Sequence, residues 1–287
     1  MTARLLEGNA VADAVLEDLK TRIQQLQTKN ITPGLGTILV GSDPASASYV
    51  RKKHEACERV GMVSFHREIP ETATQKDLLA AVDDFNTNPN VHAYIIQYPV
   101  PKGFDFNEAM TRMRPDKDAD GLHPVNLGKL VLQEPGPVPC TPAGIQAMLA
   151  HYGIAVEGRE VVVVGRGPTL GRPLALLLTL KGKAANAAVT VVHSSVPDIA
   201  YYTKRADIVI VAVGKPSVVT PEMVKPGAVV VSGGITWEGK KLLPDVDERV
   251  GDVASWITPR IGGVGPTTVA MLLKNTVEAA ERTTKSL

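Results

Sequence analysis

The chain has 287 residues, with 31 Lys and Arg against 30 Asp and Glu and a formal net charge of +1. This length suits two medium domains, and the near-neutral charge argues against a nucleic-acid footprint or a polybasic membrane patch, so we expect a small-molecule partner. Cys57 and Cys140 lack paired spacing, which argues against a zinc site or a secreted disulfide framework and fits a reducing cytoplasm. The first residues mix acids into a helical pattern and no apolar run reaches the ~20 residues of a membrane span, so we expect a soluble, untargeted protein.

The first half of the chain alternates helical and strand-like patterns. Helices are predicted near 9–29, about 44–60 and near 74–87, and strands are predicted in "LGTILVG", "MVSFHREI" and "VHAYIIQ". Such alternation is typical of a mainly parallel sheet covered by helices.

The helix predicted over about 44–60 carries a lysine on its apolar face. Ser42 or Asp43 can cap it, and Gly61 is a natural stop. By helical spacing Lys53 shares the apolar stripe with Tyr49. A lysine on an inward face is partly desolvated and titrates nearer neutrality, but its stem can equally cover apolar surface while the ammonium reaches water. On spacing alone both interpretations stay open.

The second half restarts the alternation after the Pro- and Gly-rich passage "LVLQEPGPVPCTPAGI", which has the composition of a connection between domains. Helices are predicted over 142–152 and 171–181 and near the C-terminus, and strands in "EVVVVGRG", "AVTVVHS", "ADIVIVAVG" and "GAVVVSGG". Runs rich in valine and isoleucine are typical of strands buried on both faces.

A glycine-rich turn, residues 165–171, follows the strand "VVVV" and opens a helix. Such a turn lets the backbone approach a pyrophosphate and points a helix N-terminus at it, although three convenient glycines can also make a plain turn. An NAD enzyme usually places an acid at the end of the next strand, whereas this chain has His193 and Ser194 there. With Arg166 inside the turn, NADP is favoured over NAD.

Three further segments are candidates for ligand contact. Asp116, Asp118 and Asp120 match the opening of a calcium loop, but the loop's twelfth position is Leu127 and no helix pair flanks it, so a turn cluster or an aspartate that grips an amidine-like ligand edge is preferred. Gln97 follows a strand at the edge where open α/β sheets bind ligands. The stretch "GGVGPTT", residues 262–268, suits a tight bend or a flat ligand.

The order of "SYVRKKHEACERVG", "IIQYPVP", "DKDADGLHPVN", "PCTPAGI", "VVVVGRGPTLGRP" and "GGVGPTTVAMLLKNT" resembles the bifunctional methylenetetrahydrofolate dehydrogenase/cyclohydrolase family over nearly the whole chain. The resemblance implies an α/β fold with two domains: an N-terminal catalytic domain over 1–141, on which a C-terminal helix of about 267–287 packs, and a Rossmann-like NADP-binding domain over 142–266. It also implies a cleft between the domains and a homodimer. The implied activity is NADP-dependent oxidation of 5,10-methylene-tetrahydrofolate followed by hydrolysis to 10-formyl-tetrahydrofolate. A monofunctional relative and a binding protein without turnover are the alternatives.

The resemblance assigns roles to particular residues. It places Lys53 as the catalytic lysine, Gln97 as its amide partner, Tyr49 as the ring that stacks on the aminobenzoate and Asp120 as the aspartate that grips the pterin. It assigns Gly262, Gly263 and Pro266 to the substrate and the following residues to the cofactor: Gly165, Arg166, Gly167, Ser194 and Ile235. The chain departs from the family pattern at Ser232, where relatives carry aspartate, and at Arg260 and Ile261, where they carry Val-Pro.

Overall fold

The computed structural model describes residues 2–239 and 241–284, and its description leaves out the side chains of Pro44, Ala45, Ala47, Ser48, Ile235, Trp237 and Lys241. The strands are β1 (Arg4–Leu5), β2 (Gly34–Val40), β3 (Val63–Ile69), β4 (Ala93–Ile96), β5 (Glu160–Val164), β6 (Ala188–Val192), β7 (Ile208–Val211), β8 (Val229–Ser232), β9 (Ile235–Glu238), β10 (Lys241–Pro244) and β11 (Trp256–Ile257). The α-helices are α1 (Gly8–Gln27), α2 (Pro44–Val60), α3 (Gln75–Thr87), α4 (Phe106–Arg112), α5 (Pro124–Leu132), α6 (Cys140–His151), α7 (Gly171–Thr179), α8 (Ala200–Thr203) and α9 (Val264–Thr283).

The chain divides into two compact units. The N-terminal unit holds Asp13–Val138 together with the residues from Val269 onwards, and the central unit holds Pro139–Thr268 together with the residues up to Ala12. The sequence predicts residues 1–141 in one domain, but the residues up to Ala12 group with the central unit because β1 pairs with β11 there. The other predicted boundaries stay a prediction.

The N-terminal unit is built on a parallel sheet in the order β3-β2-β4. All seven residues of β2 are buried, which is why its sequence reads as apolar and small residues without alternation. One core cluster packs between this sheet and α3, with Leu78 and Val82 on the helix against Ile38 and Tyr94 on the strands.

Helix α2 begins and ends where the sequence predicts. Asp43 is the N-cap, and its carboxylate accepts a hydrogen bond from the backbone N–H of Ser46 at 2.8 Å. Gly61 ends the helix in the left-handed conformation. These caps set the two ends of the helix that carries Tyr49 and Lys53.

The central unit is built on a parallel six-stranded sheet in the order β1-β11-β8-β7-β5-β6. In β5, Val161 and Val163 belong to one core cluster and Val162 and Val164 to another. Because successive side chains of a strand point to opposite faces, the valine run fills a core on each side of the sheet. The predicted α/β class is confirmed, and β9 and β10 add an antiparallel hairpin that the sequence analysis does not predict.

Helix lengths and hydropathy place a limit on membrane insertion. Among the described residues, none of the helices is both long enough and apolar enough to cross a bilayer.

Candidate active site

Lys53 lies on the inward face of α2, with only 8% of its surface exposed. Its Nζ donates a hydrogen bond to Oε1 of Gln97 over 2.8 Å. One helical turn earlier lies Tyr49, which is 37% exposed, and Nζ of Lys53 is 5.8 Å from the centroid of its ring. The N-terminal unit therefore brings three predicted site residues together, with a buried amine next to an aromatic ring that solvent reaches.

The amide of Gln97 is held in one orientation by its surroundings. Gln97 follows the last residue of β4, and its backbone N–H donates to the carbonyl oxygen of Ile38. Its Nε2 donates to the carbonyl oxygen of Tyr98 over 2.8 Å. Because the amide nitrogen serves Tyr98, the amide oxygen is the atom presented to Lys53. This is the carboxyl end of a parallel strand, where α/β folds bind ligands.

Tyr49 offers a neutral aromatic surface. Burial raises the pKa of its hydroxyl, so the hydroxyl stays protonated at neutral pH. Nζ of Lys52 lies 5.9 Å from the same ring centroid. A neutral ring flanked by amines is suited to stack on a flat, conjugated ligand that carries electronegative atoms at its edge.

The three aspartates of the segment 116–120 have different surroundings. Asp116 is exposed and forms an ion pair with Arg114 at 2.6 Å. Asp118 is 1% exposed. Asp120 is of intermediate exposure, and its backbone N–H donates to Oδ1 of Asp118 over 3.1 Å. The cluster is thus one surface ion pair, one buried acceptor and one partly exposed carboxylate.

Asp118 organises the loop that carries Asp120. Its Oδ1 also accepts from the N–H of Gly121 at 2.9 Å, and its Oδ2 accepts from the N–H of His123 at 2.8 Å and from Nδ2 of Asn126 at 2.9 Å. With the Asp120 contact, four donors converge on one carboxylate. The sequence shows only a turn-favouring aspartate here, because nothing in its spacing says which of the three is buried.

The glycine-rich turn of the central unit is shaped for close backbone approach. A Cβ on Gly165 would overlap the carbonyl oxygen of Ala212, and a Cβ on Gly171, at the start of α7, would overlap the carbonyl oxygen of Gly165. Around Gly167, by contrast, a Cβ would meet no described atom within 4 Å. The turn is therefore tight where it meets the sheet and open where a ligand can approach.

The side chains next to this turn are donors. Arg166 is exposed, and its Nη1 lies 3.2 Å from Nε2 of His193 at the end of β6. Ser194 is exposed, and the backbone N–H of Ser195 donates to Nδ1 of His193 over 3.2 Å. The sequence names Arg166 and Ser194 but gives His193 no role. Because β6 is followed by His193 and Ser194 and not by an acid, the donors Arg166 and Ser194 suit a phosphate group better than a ribose diol.

The remaining predicted positions lie in the central unit. The carbonyl oxygen of Gly262 accepts from the backbone N–H of Gly8 at 2.7 Å, Gly263 is buried, and Pro266 lies in the first turn of α9. The glycine pair therefore makes contacts within the chain, and its predicted contact with the substrate stays a prediction. The side chain of Ile235 lies outside the described part of the structure.

Two of the three departures from the family pattern, Ser232 and Arg260, have local polar contacts. Ser232 accepts a hydrogen bond from the backbone N–H of Asp245 at 3.1 Å. Arg260 approaches Glu248 at 3.6 Å, and Ile261 is 75% exposed. A carboxylate at position 232, as in relatives, would thus lie close to the backbone of Asp245, which is itself buried.

Two sequence families match the chain. Residues 6–120 match the catalytic domain of tetrahydrofolate dehydrogenase/cyclohydrolase, and residues 139–284 match the NAD(P)-binding domain of the same enzymes. The chain is 73% identical over 281 residues to the bifunctional protein FolD of Syntrophotalea carbinolica, an alignment that covers 98% of this chain and 97% of that protein.

Solved structures agree with the sequence matches. The bifunctional enzyme FolD of Campylobacter jejuni is 40% identical with a TM-score of 0.93, over 98% of this chain and 99% of that one. The methylenetetrahydrofolate dehydrogenase-cyclohydrolase of Trypanosoma brucei, solved with NADP cofactor and an inhibitor, is 38% identical with a TM-score of 0.93, over 99% of both chains. The chain therefore belongs to the tetrahydrofolate dehydrogenase/cyclohydrolase family.

Proposed function

We propose that this chain oxidises 5,10-methylene-tetrahydrofolate to the 5,10-methenyl form with NADP, and then hydrolyses the methenyl form to 10-formyl-tetrahydrofolate. The observation that carries the proposal is the hydrogen bond from buried Lys53 to Gln97 at 2.8 Å, beside the ring of Tyr49. An amine in this setting supplies the proton transfers that hydrolysis needs. The family match over nearly the full chain supplies the substrate class.

In the proposed site, the folate binds to the N-terminal unit. The exposed ring of Tyr49 stacks on the aminobenzoate ring, and Asp120 accepts hydrogen bonds from the amidine-like edge of the pterin. Asp118 supports this role because it fixes the backbone on either side of Asp120. Gly262, Gly263 and Pro266 remain candidates for substrate contact in the central unit.

Hydrolysis is the step that requires Lys53. Water adds to the cationic methenyl carbon and gives up both of its protons as the formyl carbonyl forms. The bond from that carbon to N5 breaks while N5 gains one proton, and the other proton leaves to solvent. Lys53, held by Gln97, carries the proton between these atoms. Positioned acid–base help of this kind is worth about 10²–10⁴-fold.

The oxidation step needs positioning more than proton transfer, since no proton moves when hydride leaves the methylene carbon. When bound, NADP supplies the hydride acceptor. The residues of the central unit fit this cofactor: the tight turn at Gly165 and the open space at Gly167 support pyrophosphate binding by the turn, and we assign the exposed side chains of Arg166 and Ser194 to the ribose phosphate that distinguishes NADP from NAD. Ile235 completes the proposed cofactor set.

The wider setting of the protein is also a proposal. Cys57 and Cys140 are both buried and lack paired spacing in the sequence, which supports a reducing cytoplasm. The net charge of +1 supports a small-molecule substrate without nucleic acid or membrane as a partner. Following the family resemblance, we assign a homodimer and a domain boundary at 141/142, with the C-terminal helix from about 267 joining the first domain.

One set of assays tests the proposal. Purified protein is mixed with 5,10-methylene-tetrahydrofolate and either NADP or NAD, and the absorbance of the reduced nicotinamide is followed. Decay of added methenyl-tetrahydrofolate is followed separately. We expect both activities, with NADP preferred. Loss of one activity would indicate a monofunctional enzyme, and absence of both with saturating substrate would indicate a binding protein without turnover.

A further inference from the structure

Two lysines of α2 flank the ring of Tyr49, and they differ in exposure. Nζ of Lys53 is 5.8 Å from the ring centroid, and Nζ of Lys52 is 5.9 Å from it. Lys53 is 8% exposed and its amine donates to Gln97, whereas Lys52 is exposed. One amine therefore lies on the protein side of the ring, and the other amine lies on its solvent side.

The proposed mechanism uses Lys53 but gives Lys52 no task. Among the ion pairs of residues 2–239 and 241–284, none includes Lys52. The neighbouring Arg51 is also exposed, but it pairs with Glu55 one turn later at 3.8 Å. The charge of Lys52 is thus placed beside a ring proposed to bind substrate, and the described carboxylates do not pair with it.

The chemistry of the substrate indicates which end of it meets this amine. In 5,10-methylene-tetrahydrofolate the reacting carbon joins N5 to N10, N10 is bonded to the aminobenzoate ring, and an amide para to N10 carries glutamate. Lys53 serves the reacting carbon in the proposed mechanism, so the N10 end of a ring stacked on Tyr49 faces the buried side. The glutamate end then faces solvent, where an exposed ammonium can pair with its carboxylates.

We infer that Lys52 is a specificity-determining residue that binds the carboxylates of the glutamate attached to the aminobenzoate ring. The inference rests on the proposed function, because it requires the folate to stack on Tyr49. It extends the site of the N-terminal unit to an acidic, peptide-like tail. Because these carboxylates are remote from the reacting carbon, Lys52 contributes to the affinity for substrate and leaves the chemical step to Lys53.

Two forms of the substrate isolate this contact. One is 5,10-methylene-tetrahydrofolate with a single glutamate, and the other is the N-methylamide of 5,10-methylene-tetrahydropteroate, which keeps the ring and its amide but has no carboxylate. Initial dehydrogenase rates with saturating NADP are measured for both forms at low ionic strength, where exposed charges are least screened. Lys52→Met removes the charge and keeps the apolar stem, Lys52→Arg keeps the charge, and Arg51→Met is the matched control.

In the parent, the glutamate form should have the lower KM. Lys52→Met should raise the KM for the glutamate form about 2–5-fold, the range for an exposed ion pair, and leave the KM for the methylamide unchanged. Lys52→Arg should retain most of the affinity of the parent. Arg51→Met removes the same charge from a residue that is paired with Glu55, so both KM values should stay as in the parent.

Several results would overturn the inference. An unchanged KM for the glutamate form in Lys52→Met would do so. An equal rise in both KM values would show that Lys52 acts through the ring of Tyr49, and an equal effect of Arg51→Met would show that only the overall charge of the helix matters. Binding of 2′,5′-ADP, the phosphate-bearing half of NADP, is measured by isothermal titration calorimetry as the control that each variant is folded.

Failure of the inference is distinguishable from failure of the proposed function. If the parent oxidises both forms with the same KM, the proposed function stands and the inference about Lys52 is wrong. If the parent oxidises neither form, the proposed function fails and the inference fails with it.

Discussion

Replacing Asp118 with asparagine tests how the loop of Asp120 is held. Each carboxylate oxygen of Asp118 accepts two hydrogen bonds, Oδ1 from Asp120 and Gly121 and Oδ2 from His123 and Asn126. Asparagine has the same shape but only one side-chain oxygen. Whichever way its amide turns, one pair of donors faces an NH₂ group in a site that is 1% exposed.

The cost follows from that geometry. Two hydrogen bonds to a charged acceptor are lost, each worth about 1.5–3 kcal/mol, so we expect Asp118→Asn to lower the free energy of unfolding by about 3–6 kcal/mol. The loop also loses the contacts that fix the backbone of Asp120. The KM for the folate should therefore rise in the variant that remains folded, while binding of 2′,5′-ADP in the central unit stays the same.

The assay is urea unfolding followed by circular dichroism, with Asp116→Asn as the matched control. Asp116 lies two residues earlier in the same loop but forms an exposed ion pair with Arg114, so its substitution should cost no more than about 1 kcal/mol. Equal effects of the two substitutions would refute the assignment of Asp118 as the anchor of the loop. A destabilised Asp118→Asn with unaltered folate KM would refute its positioning role.

Three further substitutions test other parts of the protein. Lys53→Met keeps the apolar stem and removes the amine, so cyclohydrolase activity should fall about 10²–10⁴-fold and dehydrogenase activity should fall much less. A cyclohydrolase rate equal to that of the parent, in a variant with an unchanged thermal melt, would contradict the role of Lys53. Asp120→Asn should raise the folate KM of both reactions and leave 2′,5′-ADP binding unchanged. Unaltered folate affinity would indicate that Asp120 is only a turn residue. Burial raises the pKa of Asp245, so the carboxyl group of Asp245 holds its proton more tightly in the folded state than in the unfolded chain. The free energy of unfolding therefore falls as pH rises from about 4 through the folded pKa. Asp245→Asn should remove that part of the pH dependence in unfolding experiments between pH 4 and pH 8, and an unchanged slope would show that another group is responsible.

Local patterns predict much of this fold because they are set by neighbouring residues. The caps Asp43 and Gly61 and the apolar face of α2 lie within one segment, so the helix and the position of Lys53 on its inward face follow from spacing, whereas the burial of the amine does not. The buried strands of the central sheet likewise follow from their valine and isoleucine runs.

Long-range contacts could not be predicted in this way. The pairing of β1 with β11 joins two short strands from distant parts of the chain, and neither strand has a clear pattern of its own. The burial of Asp118 and the approach of Arg166 to His193 depend on which side chains meet after folding. Spacing therefore identifies the segments of the site, but it does not show which aspartate of the loop is the buried anchor, Asp118, and which is the proposed ligand contact, Asp120.

The pairing of β1 with β11 also has a consequence for how the protein is made. Arg4 pairs with Trp256, and Asn275 in α9 donates to the carbonyl oxygens of Ala119 and Val138, so each unit is completed by residues that the ribosome adds late. At a translation rate on the order of 5–20 residues per second, many seconds pass between the synthesis of β1 and that of β11. After β8 has been synthesised, and until β11 pairs with it, β8 has an open edge that other unfinished chains can pair with. Efficient production of this enzyme therefore depends on keeping nascent chains apart until the last helix has been synthesised.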